Sequence, residues 1–268
     1  MTFNILHLNV ERSKHIETVI KLLKEKNPHI VCLAEAMHKD VQKISLELGY
    51  EFSFAPLVLF KDGLESDQEG SVILSKHPIL KTKKYYYNDK ALGKIPSSTI
   101  EEDNLTVKSG KRPENRFLEN YTLLTALIKL NEKQTVTIST THFPVTDHTT
   151  PGYKDHNIKS LQNVDDMERS VAYLERLINI IRSLTEPVVF TADLNNPRGE
   201  YFYDSLAHEL VDRVPLSLES SIDPNLHRVK NLKLVVDTVM TSPNVFVKSF
   251  EVIEGVSDHK AFFVSLNV

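Results

Sequence analysis

One cysteine in 268 residues rules out an internal disulfide and makes a reducing compartment, the cytoplasm, the favoured setting. Set between Val31 and Leu33, the Cys32 thiol reads as core packing rather than as a nucleophile. No window approaches an uninterrupted transmembrane run. A first strand is expected from Phe3, which leaves no space for a signal peptide ahead of it, although a secreted chain cut at its mature start would read the same. The phosphate-cradling loops G-x-x-x-x-G-K and G-x-G-x-x-G are absent, so nucleotide-dependent transfer and dinucleotide redox chemistry lack their usual signature. There is no G-x-S-x-G elbow either, and no paired-cysteine or paired-histidine motif to hold zinc.

An excess of positive charge is also missing. With 32 Lys and Arg against 36 Asp and Glu, the net charge of -4 argues against a globally basic nucleic-acid binder. The charge is unevenly spread, however: residues 76–116 hold ten Lys or Arg against five acids, a local charge of about +5. Tyr85, Tyr86 and Tyr87 stand beside Lys81, Lys83 and Lys84, a mixture that suits a nucleic-acid partner. The same lysines also suit a solvated loop or an anionic lipid surface.

What is present is an ordinary globular composition, 41% hydrophobic and 25% charged, without repeat, heptad or linker. Residues 1–268 read as one domain, with a monomer favoured. The organising stretch is V-V-F-T-A-D-L-N, Val188 to Asn195: a buried strand ending in a carboxylate, with Asp193 and Asn195 two residues apart and so expected on one side of the backbone. The same pattern recurs. Phe3 to Val10 is a dense apolar strand with Asn9 at its end, and I-V-C-L-A leads into Glu35. Between them a helix carries Ile16, Val19, Ile20 and Leu23 at helical spacing, with Ser13 as expected N-cap. A second helix, Asp40 to Leu48, closes at Gly49.

Tyr50 to Phe60 and Ser71 to Ser75 read as strands around a polar turn from Lys61 to Gly70, and 88–120 as a long loop. A hairpin, Tyr121 to Leu130 and Thr135 to Thr141, delivers His142 at its tip. An amphipathic helix follows, with Met167, Val171, Leu174, Ile178 and Ile181 on one stripe. Leu232 to Met240 reads as a strand with Asp237 inside it, and Asp258-His259 precedes a final strand.

Singly, each polar residue has an ordinary explanation: Glu35 a surface acid, His142 a loop histidine, Asp258 a turn residue. Together, Asn9, Glu35, His142, Asp193, Asn195, Asp258 and His259 place costly polar groups at strand ends throughout the chain, which one site at the carboxyl edge of a sandwich explains at once. Carboxylates and amides without thiols suit a hard cation, magnesium or manganese. Metal-assisted hydrolysis is the chemistry left.

The ordered set L-N-V, A-E-A, G-S-V-I-L-S, T-T-H-F, T-A-D-L-N, V-V-D-T-V and V-S-D-H-K resembles the endonuclease/exonuclease/phosphatase superfamily, to which pancreatic-type DNase, AP endonucleases, neutral sphingomyelinases and inositol polyphosphate 5-phosphatases belong. The resemblance implies a four-layer α/β sandwich, two mostly antiparallel mixed sheets face to face with helices outside, and a Mg²⁺-dependent phosphoesterase. A nuclease or other phosphodiesterase comes ahead of a phosphatase or a sphingomyelinase-like enzyme, and a non-catalytic binding module of the same fold is the rival from another class. It implies Glu35 as metal ligand with Asn9 and Asp258 close by, and Asp193 as the base for the attacking water. Asn195, His142 and His259 would bind the scissile phosphate, with Asp237 behind His142 and Asp258 behind His259. The family's usual glycine before the catalytic Asp is Ala192 here, and its aromatic after it is Leu194. Where AP endonucleases carry a tyrosine this chain has His142, which favours the other branches.

Overall fold

The computed structural model describes residues 1–62, 65–88, 106–108, 121–145 and 164–268. Two mixed sheets are present. The first runs in the order β12 (Phe246–Ile253), β13 (Ala261–Asn267), β1 (Thr2–Asn9), β2 (Ile30–Met37), β4 (Glu65–Ser75), β3 (Glu51–Asp62), β6 (Thr106–Lys108). The second runs β10 (Val211–Asp212), β11 (Asp237–Thr241), β9 (Val188–Asp193), β8 (Gln134–His142), β7 (Thr122–Asn131), β5 (Ile79–Tyr86). The parallel pairs are β1 with β2, β8 with β9 and the short β3 with β6; every other neighbour is antiparallel.

Period-two alternation builds the layers. On β1, Phe3 and Ile5 enter a core shared with Leu124, Ala126, Ile128, Val136, Ile138, Val189 and Val239 of the other sheet. Leu6 and Leu8 point the opposite way, under α1 (Ile16–Lys26) and α2 (His38–Leu48). On β9, Val189 faces the first sheet, whereas Phe190 and Ala192 pack against α3 (Val164–Ser183) and α4 (Tyr201–Glu209). The molecule is thus the expected four-layer sandwich, helices on both outer faces. Each fully buried Leu, Ile or Phe of these layers contributes about 1.5–3 kcal/mol relative to exposure. Cys32 lies wholly within the inter-sheet core, where burial pushes its thiol up to about 12, so it stays protonated and packs as a small apolar group.

Several local expectations are corrected. Ser13 does not cap α1: it lies in a 3-10 turn, Arg12–His15, and its hydroxyl donates to Asp40 Oδ2. Residues 61–62 and 65–70 belong to β3 and β4 rather than to a polar turn, the two strands pairing from Glu51↔Ser75 to Asp62↔Glu65 with one register shift between Pro56 and Val58. Polar composition misled there because backbone pairing in a hairpin does not require apolar side chains. Within 88–120, Thr106–Lys108 forms the edge strand β6, and most of the remainder lies outside the described residues. The stretch before Asp237 is irregular, so Asp237 opens β11 rather than sitting inside a strand. Because β11 is antiparallel to β9, its first residue still lies at the edge where β9 ends, as Asp237↔Asp193 in register. Gly49 closes α2 in the left-handed conformation, φ 72°, as anticipated. Among the described residues no helix is long and apolar enough to cross a membrane.

Candidate active site

The inward faces of the central strands are apolar at their middles and polar at one end, and the polar ends of both sheets meet. On β1, the face that buries Phe3 and Ile5 continues with His7 and Asn9, both buried. Opposite them, Asp193 ends β9 and Asp237 begins β11, with solvent exposures of 1% and 0%. Two adjacent buried carboxylates repel each other, so each needs donors. Asn9 Nδ2 donates to Asp193 Oδ2 at 2.9 Å and the Asn195 backbone N–H to Asp193 Oδ1 at 2.9 Å. Asp237 takes His7 Nε2 on Oδ1 at 3.2 Å and His259 Nδ1 on Oδ2 at 2.7 Å.

That last pair corrects the expected partnerships. Asp237 stands behind His259 and His7, not behind His142; and Asp258 does not hold His259 Nδ1, which Asp237 already occupies. Sequence order cannot show which strand ends face each other across a sandwich. Burial opposes a charge on both members of the pair, but mutual attraction prevails: Asp237 is held well below the usual carboxylate range, and His259 is raised well above the ordinary imidazole value by Asp237, Asp193 and Asp258. Asp258, part-buried beside His259, has its carboxyl raised by burial despite His259, with Glu11 and Glu35 adding to the rise.

Glu35 reaches the site through a β-bulge. Val31 and Leu33 face the helices, and strict alternation would send residue 35 the same way. The pairing of β2 with β4 slips between Leu33↔Val72 and Ala36↔Gly70, adding one residue on β2, and Glu35 sits there with φ 53°. The phase reverses, Ala36 takes the helix side, and Glu35 turns inward. Asn195 also arrives by a turn rather than by strand alternation. Its φ is 52°, and Nδ2 donates to Phe143 O at 2.9 Å and meets His142 Nε2 at 2.8 Å.

The imidazoles flank Asp193. His142 Nε2 lies 3.7 Å and His259 Nε2 3.8 Å from Asp193 Oδ2, and His142 Nε2 is 3.8 Å from Glu35 Oε1. Glu69, wholly buried on β4, joins Glu35 and His142 in a group whose ligand atoms lie within 4.8 Å of one another. Arg12 Nε approaches Glu69 Oε2 to 3.8 Å. Every residue anticipated from the sequence therefore lies in or beside this edge of the sandwich. Two were missed, Glu69 and His7. His7 had a signal, since it precedes Asn9 by one strand period on an apolar face; Glu69, inside a run of polar residues, had none.

Five carboxylates, Glu35, Glu69, Asp193, Asp237 and Asp258, thus gather at one end of the sandwich, with Arg12 beside Glu69 and His259 between Asp193 and Asp237. An oxygen-rich set of this kind fits a hard divalent cation and does not fit a thiolate-selecting metal.

The chain matches the sequence profile of the Endonuclease/Exonuclease/phosphatase family over residues 1–259. No curated protein matches it by overall sequence comparison. Among solved structures, the endonuclease/exonuclease/phosphatase from Bacteroides vulgatus superposes with TM-score 0.67 at 16% identity, over 100% of this chain and 99% of that one. The human Nocturnin catalytic domain with bound sulfate anion gives TM-score 0.65 at 14% identity, over 99% and 93%. TDP2 from D. rerio, complexed with single-strand DNA product, gives 0.63 at 14%, over 100% and 99%.

Proposed function

Since this chain belongs to the endonuclease/exonuclease/phosphatase family, we propose that it is a Mg²⁺-dependent phosphoesterase, a nuclease or other phosphodiesterase ahead of a phosphomonoesterase, hydrolysing a P–O bond with water. The observation that carries this reading is the shared focus of Asp193, His142 and His259. One carboxylate oxygen lies 3.7 and 3.8 Å from two imidazole Nε2 atoms, one at the end of β8 and one on the segment before β13. Those separations exceed hydrogen-bond length, so neither ring is consumed by the acid.

Asp193 is the base. Held at both oxygens by Asn9 and Asn195, it keeps lone pairs directed to the rim and takes a proton from the attacking water. His259, backed by Asp237, presents a positive Nε2–H to a phosphoryl oxygen, and Asn195 and His142, hydrogen-bonded to each other, line the neighbouring side of the site. Glu35 and Glu69, with Asn9 and Asp258 alongside, would hold the cation. When bound, that cation neutralises the acidic rim and polarises the phosphoryl group. Without it, an anionic ester would meet five carboxylates.

The basic segment supports a polyanionic substrate in part. Lys81, Lys83 and Lys84 are exposed on the edge strand β5, and Lys83 Nζ stands 4.3 Å over the Tyr85 ring. Tyr87 is not a stacking platform, since it is buried with its hydroxyl on Thr141 Oγ1 at 2.9 Å. Lys90, Lys94, Lys111, Arg112 and Arg116 lie outside the described residues.

The test is a panel of DNA, RNA, nucleotide, lipid and inositol phosphates with Mg²⁺. Hydrolysis of at least one is expected, lost in excess chelator, and reduced on the order of 10²–10⁴ in turnover by Asp193→Asn. Wild-type turnover in that variant, or full activity in chelator, refutes the assignment. Replacing Lys83, Lys84, Lys111 and Arg112 with Gln should raise KM for a polynucleotide and flatten its salt dependence, leaving a small aryl phosphodiester near wild type. An equal response of both substrates would move the substrate from nucleic acid to a small or lipid phosphoester.

A further inference from the structure

The acids Asp193 and Asp237 are register partners on β9 and β11, and both receive a donor from one strand of the opposite sheet, β1. Asn9 serves Asp193; His7, one strand period earlier, serves Asp237. His7 is wholly buried, and its Nδ1 is buried without a partner. The proton that does work is therefore on Nε2, 3.2 Å from Asp237 Oδ1. The other oxygen of that carboxylate accepts from His259 Nδ1 at 2.7 Å, which leaves His259 Nε2 directed to the Asp193 side of the site.

We propose that His7 is a positioning residue for His259, acting through Asp237. A carboxylate held at one oxygen can swing about its side-chain torsion and take its partner with it. One held at both oxygens, by donors on β1 and on the segment just before β13, cannot. His7 thus fixes the plane of Asp237, Asp237 fixes the ring of His259, and the Nε2–H of His259 is aimed before substrate arrives. A buried histidine is a costly way to fill space on the apolar face of β1, where Phe3 and Ile5 are its neighbours in phase; a leucine would pack there without an unsatisfied nitrogen. The donated hydrogen bond supplies the reason for it.

The catalytic consequence rests on the phosphoesterase reading, so two measurements are needed, one of them independent of activity. His7→Leu removes the donor, while His7→Gln can bring an amide N–H to the same carboxylate oxygen. For a substrate that the protein hydrolyses, His7→Leu should lower kcat about 10- to 100-fold, as loss of a supporting hydrogen bond does, with KM little changed. His7→Gln should recover most of that loss. Independently, the His259 Nδ1–H proton, in a hydrogen bond to Asp237, should give a downfield proton NMR resonance in the metal-free wild type and in His7→Gln, and this signal should be lost or moved upfield in His7→Leu. An unchanged resonance in folded His7→Leu overturns the proposal, as does a His7→Gln variant no better than His7→Leu. Absence of hydrolysis by the wild type would sink the phosphoesterase reading and leave the resonance to decide His7. If His7→Leu does not fold, His7→Phe serves the same comparison.

Discussion

Replacing Glu35 with Gln should change the stability of this protein in opposite directions with and without metal. In the metal-free state the Glu35 and Glu69 carboxylates lie within 4.8 Å of each other. At that separation two like charges repel by about 3 kcal/mol at an effective dielectric of 20. Arg12, 3.8 Å from Glu69, offsets part of this, and Glu35 keeps 17% side-chain exposure, so a net relief of about 1 kcal/mol is the expected size. In a chain of this length that corresponds to a Tm rise of about 2–4 °C in EDTA. Mg²⁺ acts with the other sign. At 100 times its dissociation constant a ligand that binds only the folded state adds about 2.7 kcal/mol, or roughly 5–10 °C. Wild type should show this rise, and Glu35→Gln should lose most of it, having lost the ligand that the bulge turns inward. Differential scanning fluorimetry across a Mg²⁺ titration, with each variant referenced to its own EDTA sample, measures both effects. An equal Mg²⁺ response in the two proteins would refute Glu35 as a ligand. A Glu35→Gln variant that melts several degrees below wild type in EDTA would show that its charge is a structural asset rather than a repulsive one.

Further expectations concern the pairing and the packing around the site. In a stability cycle read by urea denaturation, Asp237→Asn and His259→Ala should couple by about 0.5–3 kcal/mol, whereas Asp237→Asn and His142→Ala should add within about 0.5 kcal/mol; the reverse pattern would restore Asp237 to His142. Gly70→Ala places a Cβ 2.1 Å from Ala55 O and 2.9 Å from Phe54 Cζ, and should cost about 1–3 kcal/mol by overpacking, seen as a lower urea midpoint. An unchanged midpoint would mean that the β3–β4 pair shifts to make room.

The sequence by itself determined the sandwich and most of the residues at its edge. Phe3 to Asn9 and Val188 to Asp193 show in their own letters a strand buried on both faces that ends in a polar group, because a carboxylate or amide in the middle of such a strand would be left without water or partner. Ordered motifs then assign Glu35, His142, Asp258 and His259 to the same edge. What tertiary structure alone decided is which of these groups touch. Asp237 belongs to His259 and His7 because β11 lies antiparallel to β9, across the sandwich from β1 and from the segment before β13. Glu35 faces the site because one extra residue in β2 reverses the alternation, and no local preference at Ala34-Glu35-Ala36 announces a bulge. Glu69 joins it because the segment that reads as a polar turn is paired as β3 and β4, which buries this acid on β4. Period-two patterning specifies the two faces of a strand; the partner found on a face depends on register and on the packing of one sheet over the other, which are set by contacts distant in the chain.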